Sequence, residues 1–236
     1  MMRTGFVLLV VLGWPLMGHG QFSLTFHTGY GSYNQTELKD FQKESLDDYP
    51  VTPKVTESFP SYWYYNGAVR YTLERKYGFG VSVEYGSSAA RTSYKDYSGE
   101  IRTDMLVNYV AVGLPFDLCL NPGNTAWQFN LQLTPAAVFS TMTMSFHSQL
   151  GTQKDDEAYD FKSENMSLQP AFNVTRRIGA FGVNVLAGYN VTVIKGDLLL
   201  KHRDAFLQNE AGDKVRMDWS GMRLAVGLSY TFGRRD

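Results

Sequence analysis

The stretch MRLAVGLSYTF, residues 222–232, decides the fold. Met222, Leu224, Val226, Leu228, Tyr230 and Phe232 fall on one side of an extended chain. Arg223, Ala225, Gly227, Ser229 and Thr231 fall on the other. Alternation with a period of two is a strand signal, and a tilted strand needs about 9–11 residues to cross a bilayer. The apolar side ends in aromatics, as a strand does that faces lipid and stops at the headgroups. Leu224, Val226, Leu228, Tyr230 and Phe232 are therefore expected to be the lipid-facing residues of a closing barrel strand, with Phe232 at the periplasmic interface.

The same pattern recurs upstream. Phe22, Leu24, Phe26 and Tyr30 alternate with Ser23, Thr25 and His27. Trp63, Tyr65, Val69 and Tyr71 alternate with Tyr64, Asn66, Ala68 and Arg70, and Phe79, Val81, Val83 and Tyr85 with Gly80, Ser82 and Glu84. Further strands run from Thr103 to Leu118, with Val110, Val112, Leu114 and Phe116 outward, and through Trp127, Phe129, Leu131 and Leu133. Two more carry Met166, Leu168, Pro170, Phe172 and Val174, then Phe181, Val183, Val185, Tyr189, Val191 and Val193.

The count is eight, and the connections alternate long and short. Polar segments to about residue 61, over 87–100, to about 164 and over 196–214 all follow odd-numbered strands. Outer-membrane barrels sort their loops this way, with short periplasmic turns and long outer loops. The expected fold is all-β: an eight-stranded antiparallel up-and-down transmembrane β-barrel with long extracellular loops. A lipocalin-like barrel would put its apolar residues inside, whereas here the inward set is Ser, Thr, Asn, Gln, Arg and Glu.

Finer expectations follow. A hairpin centred on Tyr77 sets Arg70 opposite Glu84, and the next hairpin pairs Leu114 with Phe129 and Val112 with Leu131. Val215, Met217 and Trp219 run in the opposite phase to Met222 onward, and a bulge at Ser220 and Gly221 would correct the slip. The closing strand pairs with residues 22–30 and turns Arg223 towards the lumen.

Composition agrees with a barrel. The 236 residues hold 15 Tyr, 15 Phe and 22 Gly at a formal charge of −1, so nothing marks a nucleic-acid binder. Cys119 is the only cysteine, which excludes an internal disulfide. Residues 1–20 read as a signal peptide: Arg3, an apolar core over 6–14, then Gly18, His19 and Gly20 as a small-x-small cleavage site. Residues 21–236 are then the barrel domain, located in the bacterial outer membrane with both mature termini periplasmic.

Gly29-Tyr30-Gly31-Ser32-Tyr33, Glu37-Leu38-Lys39, Phe59-Pro60 before an aromatic run, and Tyr94-Lys95-Asp96-Tyr97-Ser98-Gly99-Glu100 resemble segments of Bacteroidota outer-membrane β-barrels, PorT-like or OmpX-like in architecture. The resemblance covers most of the mature chain. It implies fold and location, and it brings no catalytic residues.

Chemistry is sparse. Arg70, Glu84 and Arg223 are expected inside the barrel, where buried charges must pair; a proton or solute path is the sharper alternative to a lumen-filling network. In Ser145-Phe146-His147-Ser148-Gln149, the adjacent His147 and Ser148 resemble the His-x-Ser-Asn arrangement of lipid A deacylating barrels. Neighbours on a strand point to opposite faces, so this His does not readily activate that Ser. Residues 34–47 carry a helical pattern with Leu38, Phe41 and Leu46 on one face and a capping-box-like Asn34 and Glu37. The acids Asp47 and Asp48, and Asp155, Asp156, Glu157 and Asp160, lack calcium-loop spacing. Tyr62, Tyr65, Tyr94 and Tyr97 suit a girdle or a sugar platform.

No catalytic, cofactor-binding or metal site is expected. The expected role is a non-enzymatic barrel whose surface loops bind or maintain the envelope. A lipid-modifying enzyme and a small-solute pore are the alternatives. Expected partners are outer-membrane lipid, lipopolysaccharide and an unknown extracellular ligand or protein, with the chain a monomer.

Overall fold

The computed structural model describes residues 20–46, 54–97, 99–124, 126–150 and 153–232. All but Gly20 of the segment 1–20 read as a signal peptide, the acids Asp47 and Asp48, and the tail over 233–236 lie outside the described residues.

Strand β1 (Gly20–Gly31) is followed by helix α1 (Thr36–Glu44) and the short β2 (Lys54–Ser58). Then come β3 (Tyr62–Leu73), β4 (Tyr77–Lys95), β5 (Gly99–Gly113) and its continuation β6 (Phe116–Cys119). The chain ends with β7 (Trp127–Leu150), β8 (Gln153–Ile178), β9 (Phe181–Ile194), the two-residue β10 (Leu199–Leu200) and β11 (Gly221–Thr231). Each main strand pairs antiparallel with its neighbour in sequence, and β1 closes the ring on β11, with Ser23 opposite Thr231 and Tyr30 opposite Leu224. With β5 and β6 counted as one strand, the ring has eight members. It is an up-and-down barrel.

The alternation along β11 becomes an inside and an outside. Leu228 is 64% exposed and Met222 63%, whereas Arg223 and Ala225 are each 5% exposed. Aromatics gather at two levels of the outer wall. Phe22, Tyr71 and Phe79 meet near the short turns, as do Phe181, Tyr230 and Phe232. Tyr30 and Trp63 meet towards the long connections. Phe22 and Tyr30 stand about 27 Å apart along the strand, with Leu24 and Phe26 exposed between them.

Both expected hairpin registers are displaced. Arg70 lies opposite Gly80 and Glu84 opposite Asn66. The turn is made by Glu74 and Arg75, whose φ angles of 50° and 56° close it before Gly78 is reached. Gly78 sits in the strand instead, where a Cβ would come within 3.1 Å of Asp117. Likewise Phe116 pairs with Leu133 and Val112 with Ala137. Here Asn121 accepts the amide of Phe129 at 2.9 Å, and Asn124 accepts those of Ala126 and Trp127 at 2.9 and 3.0 Å. These side chains hold a loop wider than an Asn-Pro-Gly turn.

Two of the four long segments are not loops. The polar residues 87–95 and 99–102 extend β4 and β5, and those of 140–150 and 153–164 extend β7 and β8. Exposed on their outer face, such strands have no reason to be apolar, so their alternation is hidden. The acids Asp155, Asp156, Glu157 and Asp160 lie on β8, where residues 153–159 pair with β7 alone.

The expected bulge at Ser220 and Gly221 is absent. Residues 215–220 leave the wall and enter the barrel mouth, where Val215, Met217 and Trp219 are 3%, 0% and 1% exposed. Their phase reversal is a change of side. The entering segment runs beside residues 32–35: Ser32 N donates to the Met222 carbonyl at 3.0 Å, Asn34 N to Ser220 at 2.8 Å and Gln35 N to Asp218 at 3.1 Å. Only glycine fits at 221, because a Cβ there would lie 1.8 Å from the Ser32 carbonyl oxygen.

The expected capping box is also absent. Gln35 holds the N-cap position, and Asn34 Oδ1 accepts the Thr36 hydroxyl at 2.9 Å. Glu37 is drawn away to Arg216, accepting its backbone amide at 2.8 Å and pairing with its guanidinium at 3.1 Å.

Candidate functional site

Three layers fill the barrel from the turn end to the loop end. The lowest is built on Arg70 of β3. Its Nη1 donates to both carboxylate oxygens of Asp117 at 3.1 and 3.2 Å, and its Nη2 to Gln132 Oε1 at 3.0 Å. Both ionic side chains are about nine-tenths buried. Asp117 reaches inward because its neighbours Phe116 and Leu118 are exposed on the outer face. A fork held at both ends spans the lumen here.

The middle layer joins Glu84 of β4, Tyr109 of β5 and Arg223 of β11. Arg223 Nη1 donates to Glu84 Oε1 at 3.1 Å and to the Tyr109 hydroxyl at 2.9 Å. Tyr109 donates in turn to Glu84 Oε1 at 2.7 Å. The guanidinium also lies 4.7 Å from the centre of the Tyr64 ring. Such a site suits Arg, whose flat cation stacks and forks together. The three charges named from the sequence thus lie buried inside the ring, but in two layers, and Arg70 is not the partner of Glu84. Between the layers a cavity of about 30 Å³ is lined by His27, Asn66 and Gln169 among others. That is room for about two waters.

The top layer is apolar and was not legible beforehand. Tyr33, Leu38 and Phe59 of the first long connection meet Leu198, Val215, Met217 and Trp219 of the last. They close on Met105, Val107, Met142, Met144 and Phe161 of the tall strands. Trp219 wedges the two halves together. Its ring centre is 4.4 Å from Tyr109 and 4.9 Å from Tyr33, and its Nε1 donates to Ser140 Oγ at 2.8 Å. Beside it, Asp218 accepts from Lys195 Nζ at 2.9 Å, Asn34 Nδ2 at 3.2 Å and Ser220 N at 3.0 Å. Burial opposes the charge on Asp218, but the Ser220 and Lys195 bonds outweigh it and hold the carboxyl below its ordinary value. The signal for this plug lay in the phase of residues 215–219.

Above the plug, α1 and the last connection bound an open groove of about 660 Å³. Its floor is Phe41 and Val215; its walls carry Glu37, Asp40, Glu44, Asp197 and Asp213 against Lys214 and Arg216. His147 points outward from β7 and pairs with Asp156 across the hairpin. Ser148, the next residue, takes the opposite face of the strand. Among the described residues no three His, Cys, Asp or Glu side chains converge to hold a metal ion. His27 is buried with no partner on Nε2, and His202 lies on an exposed turn.

No protein-family model matches the chain, and no curated protein does. Among solved structures, the chain is similar to the attachment invasion locus protein Ail of Yersinia pestis, at 13% identity over 91% of this chain and 99% of that one, with a TM-score of 0.35. It is similar to CarO2 of Acinetobacter baumannii at 9% identity, over 89% and 99% of the chains, with a TM-score of 0.38. The outer membrane protease OmpT of Escherichia coli matches at 13% identity, over 90% and 96%, with a TM-score of 0.36. At such scores these likenesses carry no argument of their own. The fold stands on the closed ring of strands.

Proposed function

We propose that the chain is an outer-membrane β-barrel that acts through its loop end, without conducting and without catalysis. The outer wall carries the reading. Its aliphatic belt between two aromatic levels has the height of a bilayer-spanning barrel wall: the eleven residues of β11 span about 34 Å along the strand and about 24 Å across when tilted by 45°. Such a belt has no partner in water, and apolar patches of this extent mark an interface. The four long connections share one end, and by the usual barrel convention that end faces outward and the turns face the periplasm.

The filled interior supports a closed barrel. An eight-stranded ring is just wide enough to be packed by its own side chains, and here two ionic layers and an apolar plug occupy it. Surface binding is then left to the groove above the plug and to the tall β7–β8 hairpin. The groove's surplus of carboxylates favours a cationic ligand. His147 pairs with Asp156, and the adjacent Ser148 takes the opposite face of the strand, which weighs against a deacylase.

Protease treatment of intact cells tests the orientation. Cleavage within the first and last long connections is expected before the membrane is broken; cleavage only afterwards would invert the topology.

A further inference from the structure

We infer that the turn end of the lumen is a binding site for a small oxyanion, a phosphate or a carboxylate. Beneath the Arg70–Asp117 fork lies a separate cavity of about 60 Å³. Four cationic residues line it, Arg70, Arg75, Lys76 and Arg177, and Asp117 is the one carboxylate among the lining residues. Asp117 is already held by Arg70. The cavity therefore carries a surplus of positive charge in a confined, partly dehydrated space, where field lines concentrate.

Unused donors point the same way. Arg70 Nε and Asn184 Nδ2 are buried without a hydrogen-bond partner, and both residues line this cavity. Asn184 is 3% exposed and fixed in place by the Thr175 hydroxyl, which donates to its Oδ1 at 2.6 Å. Its amide hydrogens are thereby left for a guest. A buried donor without an acceptor is costly, by about 1–3 kcal/mol, and an oxyanion would satisfy both at once. Asn173 Oδ1, also partnerless, is placed to accept the proton of a hydrogen phosphate. The volume matches about four waters, close to the five heavy atoms of a phosphate. The turn makes the site: left-handed Glu74 and Arg75 bring Arg75 and Lys76 to the lumen edge. The site has the same chemistry whichever side of a membrane this end faces.

The test is thermal unfolding of the refolded full barrel in neutral detergent, titrated with sodium phosphate or sodium acetate against sodium chloride at equal ionic strength. A saturable rise in Tm is expected, roughly 5–10 °C at about a hundredfold excess over the dissociation constant. The double substitution Arg75→Gln/Lys76→Gln, both on the exposed rim, should remove most of the rise and leave the anion-free Tm unchanged. Asn184→Asp, which puts a second carboxylate in the cavity, should abolish it. A rise with phosphate alone assigns a tetrahedral ligand, and one with acetate assigns a carboxylate. No rise beyond chloride with either anion, or an equal rise in the double variant, would mean a water-filled cavity and overturn the proposal.

Discussion

Arg223 shows how much one inward position can hold. It is the shared partner of Glu84 and Tyr109 and lies against the Tyr64 ring. Replacing it with Ala leaves Glu84 buried and uncompensated, which costs about 3–5 kcal/mol; unfolding in detergent should show that loss. Arg223→Met combined with Glu84→Gln removes both charges, and most of the stability should return. If the double variant is no better than the single, the charges are not acting as a pair. Asp218 gives the molecule a pH dependence. Its folded value is depressed, so its contribution is complete above the unfolded carboxyl value of about 3.9. It fades as pH falls through the lower folded value. Acid titration followed by Trp219 fluorescence should show the plug loosening below about pH 4, and Asp218→Asn should flatten that transition. Gly221→Val is expected to disrupt the join between Ser32 and Met222, because its Cβ would overlap the Ser32 carbonyl. An unchanged Tm would show that the join can shift.

At the scale of elements, sequence and structure part at identifiable places. The strands that cross the apolar belt were legible because one face had to be greasy and the other polar. That parity puts Arg70, Glu84 and Arg223 in the interior, and Asp117 follows from the same rule. Register was not legible. It depends on how many residues a turn consumes, and two non-glycine residues with positive φ, Glu74 and Arg75, give no sequence warning. The upper halves of β7 and β8 were hidden for a different reason: their outer face is wet while Met142, Met144 and Phe161 pack inward against the plug, so the polarity of the pattern reverses. Near the hairpin tip, Gln149 and Leu150 pair with Glu100 and Gly99 at the very end of β5, and Gln153 and Lys154 pair with β7 alone. Replacing residues 149–154 by Asn-Gly leaves Ser148 opposite Asp155 as the last pair and should change the unfolding free energy by less than about 1 kcal/mol. A large loss would mean that the tip supports the mouth.

For the whole molecule, the layers act in series. Deleting residues 205–217, which carry the plug's Val215 and Met217, should unseat the plug, yet planar-bilayer recordings of that variant should still show no steady ion-selective steps, because the Arg70–Asp117 and Arg223–Glu84 layers remain across the lumen. Steps in the intact chain would revive a pore. Steps in the deletion alone would make the plug a gate and the ionic layers permeable.

The walls of the barrel are unequal. β11 has 11 residues and ends level with the mouth, whereas β7 and β8 have 24 and 26 and continue well past it. The rim is a high screen on one flank and a low sill on the other. Anything bulky that reached for the groove over α1 would have to come across the sill, so the wall heights would restrict its direction of approach before chemistry has a say.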